Sequence, residues 1–128
     1  MPEPHPFRRA AETKDLDLLR ETLAEDVVLH SPILFKGFEG REMALVVLAN
    51  VIEVFEDFRY LAALHGDGTV VLRFAAKVDG KFEIEGVDYL TLGADGRVTD
   101  LTVFLRPQKA VQAFNERMVA LLGAAPPA

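Results

Sequence analysis

Asp88 is the residue best placed for chemistry, because it is a carboxyl set inside an apolar strand, Gly86-Val87-Asp88-Tyr89-Leu90. Side chains two apart on a strand share a face, which puts Asp88 with Ile84, Gly86, Leu90 and Leu92. If that face is concave, lost hydration disfavours the anion and leaves a neutral acid able to donate a hydrogen bond. Such a group can anchor a ligand or act as a general acid; equally, it can bond a nearby backbone or side-chain group and fix the strand. Ser31 ends a short strand just before Pro32, so its hydroxyl either meets a ligand or caps the turn. His30 beside it points the other way and reads as an exposed or interface histidine rather than a base. His5, His30 and His65 share no ligand spacing, and without an H-x-H pair, an HExxH or a calcium loop no metal site is expected. Gly93 to Gly96 joins two strands instead of opening a helix, which is not how a phosphate is cradled. The chain has no cysteine, so disulfides, thiolate catalysis and zinc-thiolate sites are excluded. No cofactor is expected.

Elements must hold these residues in place. Three prolines among the first six residues bar regular structure there, and a first helix begins near Pro6 with Phe7, Ala10 and Ala11 on one side. Asp15 is an N-cap for a second helix, with Leu16, Leu19 and Leu23 on one face. Residues 27–31 form a short strand stopped by Pro32, and 35–40 form a loop. Over 41–55, Met43, Val46, Val47, Asn50, Val51 and Val54 recur at helical spacing. Four strands follow, over 58–64, 69–78, 82–92 and 97–106. Asp79-Gly80 and Ala94-Asp95-Gly96 are hairpin signals, since they supply the positive φ angles of primed turns. After Pro107 a last helix carries Ala110, Val111, Phe114, Met118 and Leu121 on one stripe, and 1–5 and 123–128 are tails.

This order predicts one α+β domain over 1–128, a curved, mostly antiparallel sheet with helices on its concave face enclosing a pocket. Parity lines the pocket with Leu72 and Phe74 from one strand and with Asp88 and Leu90 from the next. The last strand adds Leu101, Val103 and Leu105, and the helices add Phe7 and Phe55. On the opposite face Val87, Tyr89 and Phe104 make an apolar patch, which predicts a homodimer through the outer sheet face.

Composition bounds the partners. Half of the 128 residues are hydrophobic and 27% are charged, the proportions of a packed globule. With 14 basic against 20 acidic side chains the net charge is −6. No run of Lys or Arg stands apart from that balance, so neither nucleic acid nor an anionic membrane is expected as a partner. No apolar stretch approaches the roughly 18 residues of a membrane span. The N-terminus has neither the basic start nor the apolar core of a signal peptide, and a cytoplasmic location is expected.

Several segments also carry a family resemblance: residues 23–29 before the first strand, Phe38-Glu39-Gly40-Arg41-Glu42 opening the long helix, and 86–90 running into Asp95-Gly96-Arg97-Val98. In order and spacing the chain resembles the nuclear transport factor 2-like superfamily, whose cone-shaped α+β fold includes ketosteroid isomerases, limonene epoxide hydrolases and SnoaL-like polyketide cyclases. Carried over by position, the isomerases' tyrosine donor falls on Phe7, their carboxylate base on Ser31 and their oxyanion-binding aspartate on Asp88. Phenylalanine cannot donate, and a serine with no base beside it cannot take a proton from carbon at useful rates. The hydrolases' Asp-Arg-Asp set falls on Ala76, Phe74 and Val103, none of which ionises. No one enzyme family is therefore matched. The expected function is binding of a small hydrophobic molecule in an apolar pocket anchored by Asp88. Two alternatives stay open: an isomerase-, cyclase- or dehydratase-type enzyme using Asp88 as general acid, and a dimeric scaffold without ligand.

Overall fold

Helix starts and stops in the first twenty residues follow from single capping groups. The computed structural model describes residues 4–122. Helix α1 (Pro6–Thr13) opens on His5, whose Nδ1 accepts from the Phe7 N–H at 3.1 Å and whose Nε2 lies 2.8 Å from the Gly96 carbonyl. It closes on Lys14, in left-handed backbone at φ 56, whose N–H returns to Ala10 and Ala11. Helix α2 (Leu16–Thr22) starts where the Asp15 carboxylate accepts from the Leu18 N–H at 3.0 Å, a cap worth about 1 kcal/mol. Then follow β1 (Leu23–His30), β2 (Phe38–Glu39), α3 (Arg41–Val54), β3 (Glu56–Gly66), β4 (Thr69–Val78), β5 (Phe82–Leu92), β6 (Val98–Arg106) and α4 (Gln108–Leu122). None of the described helices is long and apolar enough to cross a membrane.

The six strands form one curled sheet in the order β2-β1-β6-β5-β4-β3. Every neighbouring pair is antiparallel except β1 and β6, which run parallel. This is the α+β class that the sequence predicts. Asp79 and Gly80 take φ 55 and 68 in the three-residue connection 79–81, which pairs Val78 with Phe82 and so opposes Leu72 to Asp88. Alternation then buries Val70, Leu72, Phe74 and Ala76 on β4, and Ile84, Asp88 and Leu90 on β5.

Local departures from expectation have local causes. Leu23 begins β1 instead of extending α2, and β1 is irregular between Leu23 and Val28, which hides its early start from any alternation rule. Residues 38 and 39, expected in a loop, pair with Leu29 and Val28; two residues are too few to show a pattern. On α3, Met43 and Val46 are 48% and 52% exposed, while Ala44, Leu45 and Leu48 are buried together with Val47 and Val54. That helix is apolar on nearly every side, so its sequence has no phase and contact with the sheet chooses the inner face. On α4, Leu121 is exposed and Ala113 is buried in the inward stripe.

Gly86 shows how tightly β5 is held. A Cβ there would press on the Phe104 carbonyl oxygen and come within 2.7 Å of both Leu105 Cδ2 and Phe74 Cζ. Gly86→Ala should cost about 3 kcal/mol, because a backbone carbonyl cannot swing aside as a side-chain tip can. Gly66→Ala, where nothing lies within 4 Å, should stay within about 0.5 kcal/mol of the parent. Denaturant unfolding of both variants checks the contrast.

Candidate functional site

A bulge near the start of β3 creates the site's second polar group. Asp57 takes φ 52 and the β3–β4 register shifts between Glu56 and Arg59. Beyond that shift Phe58 is half-buried and Tyr60 is buried, with Tyr60 opposite Phe74. On β5, one strand further in, Asp88 is 7% exposed. The Tyr60 hydroxyl reaches across β4 and donates to Asp88 Oδ2 at 3.0 Å. It is the single hydrogen bond of that carboxyl among the described residues.

The walls around the pair are aromatic and aliphatic. Phe58 meets Tyr60 edge-on at 4.9 Å and Phe74 at 5.1 Å, and Phe55 stacks on Phe114 at 5.2 Å. The Arg8 guanidinium lies 5.6 Å from the centre of the Tyr60 ring, a cation over its negative face. Asp88 and Tyr60 open on a cavity of about 50 Å³, capped by α1 through Phe7 and Ala11, by α3 through Val51 and by Phe55 just past its end. That volume is well below the roughly 150 Å³ of an engineered apolar cavity that admits benzene. A larger guest requires side chains to move.

Burial dominates the electrostatics. Removing water from the Asp88 carboxyl pushes it up from 3.8 to about 7, even though the Tyr60 bond favours the anion and pulls the other way. Burial, and the carboxylate beside it, push the Tyr60 phenol well above its ordinary value. The pair can therefore donate: Tyr60 to Asp88, and a protonated Asp88 to an oxygen or nitrogen in the cavity. Deprotonated, Asp88 can accept instead.

The expected pocket residues separate into layers. Phe7, Phe55, Phe74, Asp88 and Val103 line this cavity. Leu72, Leu90 and Leu101 are packed in the closed core and do not reach it, while Leu105 is half-buried and borders open grooves of the sheet. Ser31 lines a second cavity, also about 50 Å³, together with Phe38, Asn115 and Met118. Its Oγ accepts from the N–H groups of Ile33 at 3.3 Å and Leu34 at 3.1 Å, so it caps the turn. Leu48, Val51 and Val103 line both cavities and divide one cup into two chambers. His30 lies outside both, with Nε2 3.2 Å from Asp100 Oδ2. Among the described residues no three His, Asp or Glu side chains gather as a metal ion would need.

Sequence reading missed Tyr60, Phe58, Lys14 and Asn115. The available signal for Tyr60 is its two-residue spacing from Phe58, which puts both on one face of the strand. What obscures that signal is the bulge at Asp57, which decides whether the face points inward.

Because the folded Asp88 carboxyl holds its proton more tightly than the unfolded one, folding should lose stability as pH rises from about 4 to about 7 and then level off. Below that window both states are protonated and no penalty exists. A three-unit shift corresponds to roughly 4 kcal/mol. Urea unfolding across this range should reveal the slope, and Asp88→Asn should flatten it. Tyr60→Phe removes the bond to the anion, so the Asp88 midpoint followed by carboxyl carbon NMR should move higher still; an unmoved midpoint would contradict the Tyr60–Asp88 contact.

Comparison with known proteins supplies the family. No curated protein matches the chain. A crystal structure of a steroid delta-isomerase from Pseudomonas aeruginosa is 34% identical, covering 91% of this chain and 86% of that one with a TM-score of 0.86. A protein with a cystatin-like fold from Silicibacter pomeroyi is 33% identical, with 92% and 83% covered and a TM-score of 0.88. A nuclear transport factor 2-like protein from Cytophaga hutchinsonii, at 21% identity, shares the fold with a TM-score of 0.64 over 81% of this chain and 87% of that one. The family model described as a SnoaL-like domain matches residues 6–101. With three quarters of its length matched, the chain belongs to the SnoaL-like domain family, and its sheet curled around a helix-capped cup is the nuclear transport factor 2-like fold.

Proposed function

We propose that this protein binds a small, mostly apolar molecule that presents one oxygen to Asp88. The observation carrying this reading is a buried carboxyl that faces an apolar cavity and, among the described residues, is bonded by Tyr60 alone. Leaving such a group without a second partner costs about 1–3 kcal/mol. A ligand oxygen would recover part of that cost, and the hydrocarbon walls would bury the rest of the ligand. The wall shared by the two chambers sets the size limit, because displacing Val103 or Leu48 joins them into one longer space.

A second reading makes Asp88 a proton carrier. It is supported by a carboxyl near 7, matched to work at neutral pH, and by 34% identity to a protein called a steroid delta-isomerase. Against it stand Phe7 and Ser31, which offer neither donor nor base where the resemblance places them. We also propose a homodimer through the outer face of the sheet, where Tyr89 and Phe104 are 43% and 56% exposed and Val87 lies opposite Phe104.

Thermal shift against steroids, phenols and fatty acids tests binding, since a ligand at about 100 times its dissociation constant stabilises by roughly 2.7 kcal/mol. Oxygen-bearing members should raise the melting temperature of the parent and much less that of Asp88→Ala. A broad panel without any shift would remove the binding reading. Double-bond migration in an unsaturated steroid ketone, followed by absorbance, tests the second reading: equal rates for the parent and Asp88→Asn would end it.

A further inference from the structure

The cavity has one charged residue at its edge, and its position is fixed by the helix that carries it. Phe7 and Ala11, four residues apart, fall on one face of α1, and Lys14, the residue that ends the helix, lines the same cavity. Phe7 is buried whereas Lys14 is exposed, which places the lysine at the rim. Its left-handed backbone, closed onto the Ala10 and Ala11 carbonyls, anchors it at the end of α1.

The acids near the rim are engaged elsewhere. Glu12 lies 3.6 Å from Arg8, and Asp15 accepts from the Leu18 N–H to start α2. Arg20 on α2 is itself paired with Glu42. Lys14 makes no ion pair among the described residues. One cation at the mouth and one buried carboxyl inside are the only charged types in a lining otherwise made of hydrocarbon and one phenol.

We infer that the molecule that presents an oxygen to Asp88 is also an apolar carboxylic acid, whose carboxylate meets Lys14 at the rim while its hydrocarbon body lies between Phe7, Val51 and Phe55. This inference rests on the binding reading above and adds the sign and place of the ligand's charge. The chain's net charge of −6 works against anions at long range. At physiological salt that field decays over about 8 Å, whereas a contact with Lys14 acts at ion-pair distance. The local cation therefore decides the preference.

Hexanoate, 1-hexanol and hexylamine carry one tail with an anionic, a neutral and a cationic head. In an NMR titration that follows the Tyr60 and Phe55 ring signals, hexanoate should bind about tenfold more tightly than hexylamine. Added salt should narrow that gap. Lys14→Gln should abolish the hexanoate advantage and leave 1-hexanol unchanged. Equal affinity for the two charged heads, or an advantage that survives Lys14→Gln, would overturn the assignment of Lys14 while hexanol binding keeps the cavity reading intact. If none of the three moves the ring signals, both readings fall together.

Discussion

A carboxyl with one hydrogen-bond donor and hydrocarbon on its other sides is the constraint around which this fold is arranged. Asp88 is held by Tyr60, and Tyr60 can reach it only because β3 bulges at Asp57 and turns two aromatic residues inward. The ring is then fixed by Phe58 and Phe74 at its edges and by Arg8 over its face. A fold selected only for stability would place a leucine at position 88, as its strand neighbours Ile84 and Leu90 illustrate. Polar groups that burden a core in this way are concentrated at functional sites.

Most of the architecture was legible in the sequence because it depends on local rules. Prolines mark the ends of the first strand and the last one, Asp-Gly turns count the strands of the meander, and alternation along β4 and β5 identifies their inner face, Asp88 included. What escaped are features decided by contact at a distance. The inner face of α3 is chosen by the sheet, since apolar residues surround that helix. β2 exists because β1 offers Leu29 and Val28 as partners. Tyr60 belongs to the site through a bulge, and a one-residue bulge inverts every parity argument beyond it.

The site also separates lining from foundation in a way parity alone does not. Leu72 and Asp88 face the same side and oppose each other across β4 and β5, yet one packs into the closed core and the other meets the cavity. Helix position makes that distinction: α1, with Phe7, and the end of α3, with Phe55 just beyond it, stand away from some inward side chains and close upon others. Ser31 illustrates the converse, since its hydroxyl serves the 31–34 turn while the residue itself borders the second chamber.

The parallel pairing of β1 with β6 has a kinetic consequence. Leu29 and Leu101 are brought side by side across a loop that contains α3 and the first three strands of the meander. Closing so long a loop carries an entropic cost that hairpins avoid, so the β3–β6 ladders are favoured to form first and the β1–β6 ladder to arrive late. Helix α3, which roofs the cup, packs against β1, so its seat is complete only when that ladder closes. A guest in the cavity would then have no partial structure to hold on to, and its residence would act as a brake on cooperative unfolding of the whole domain.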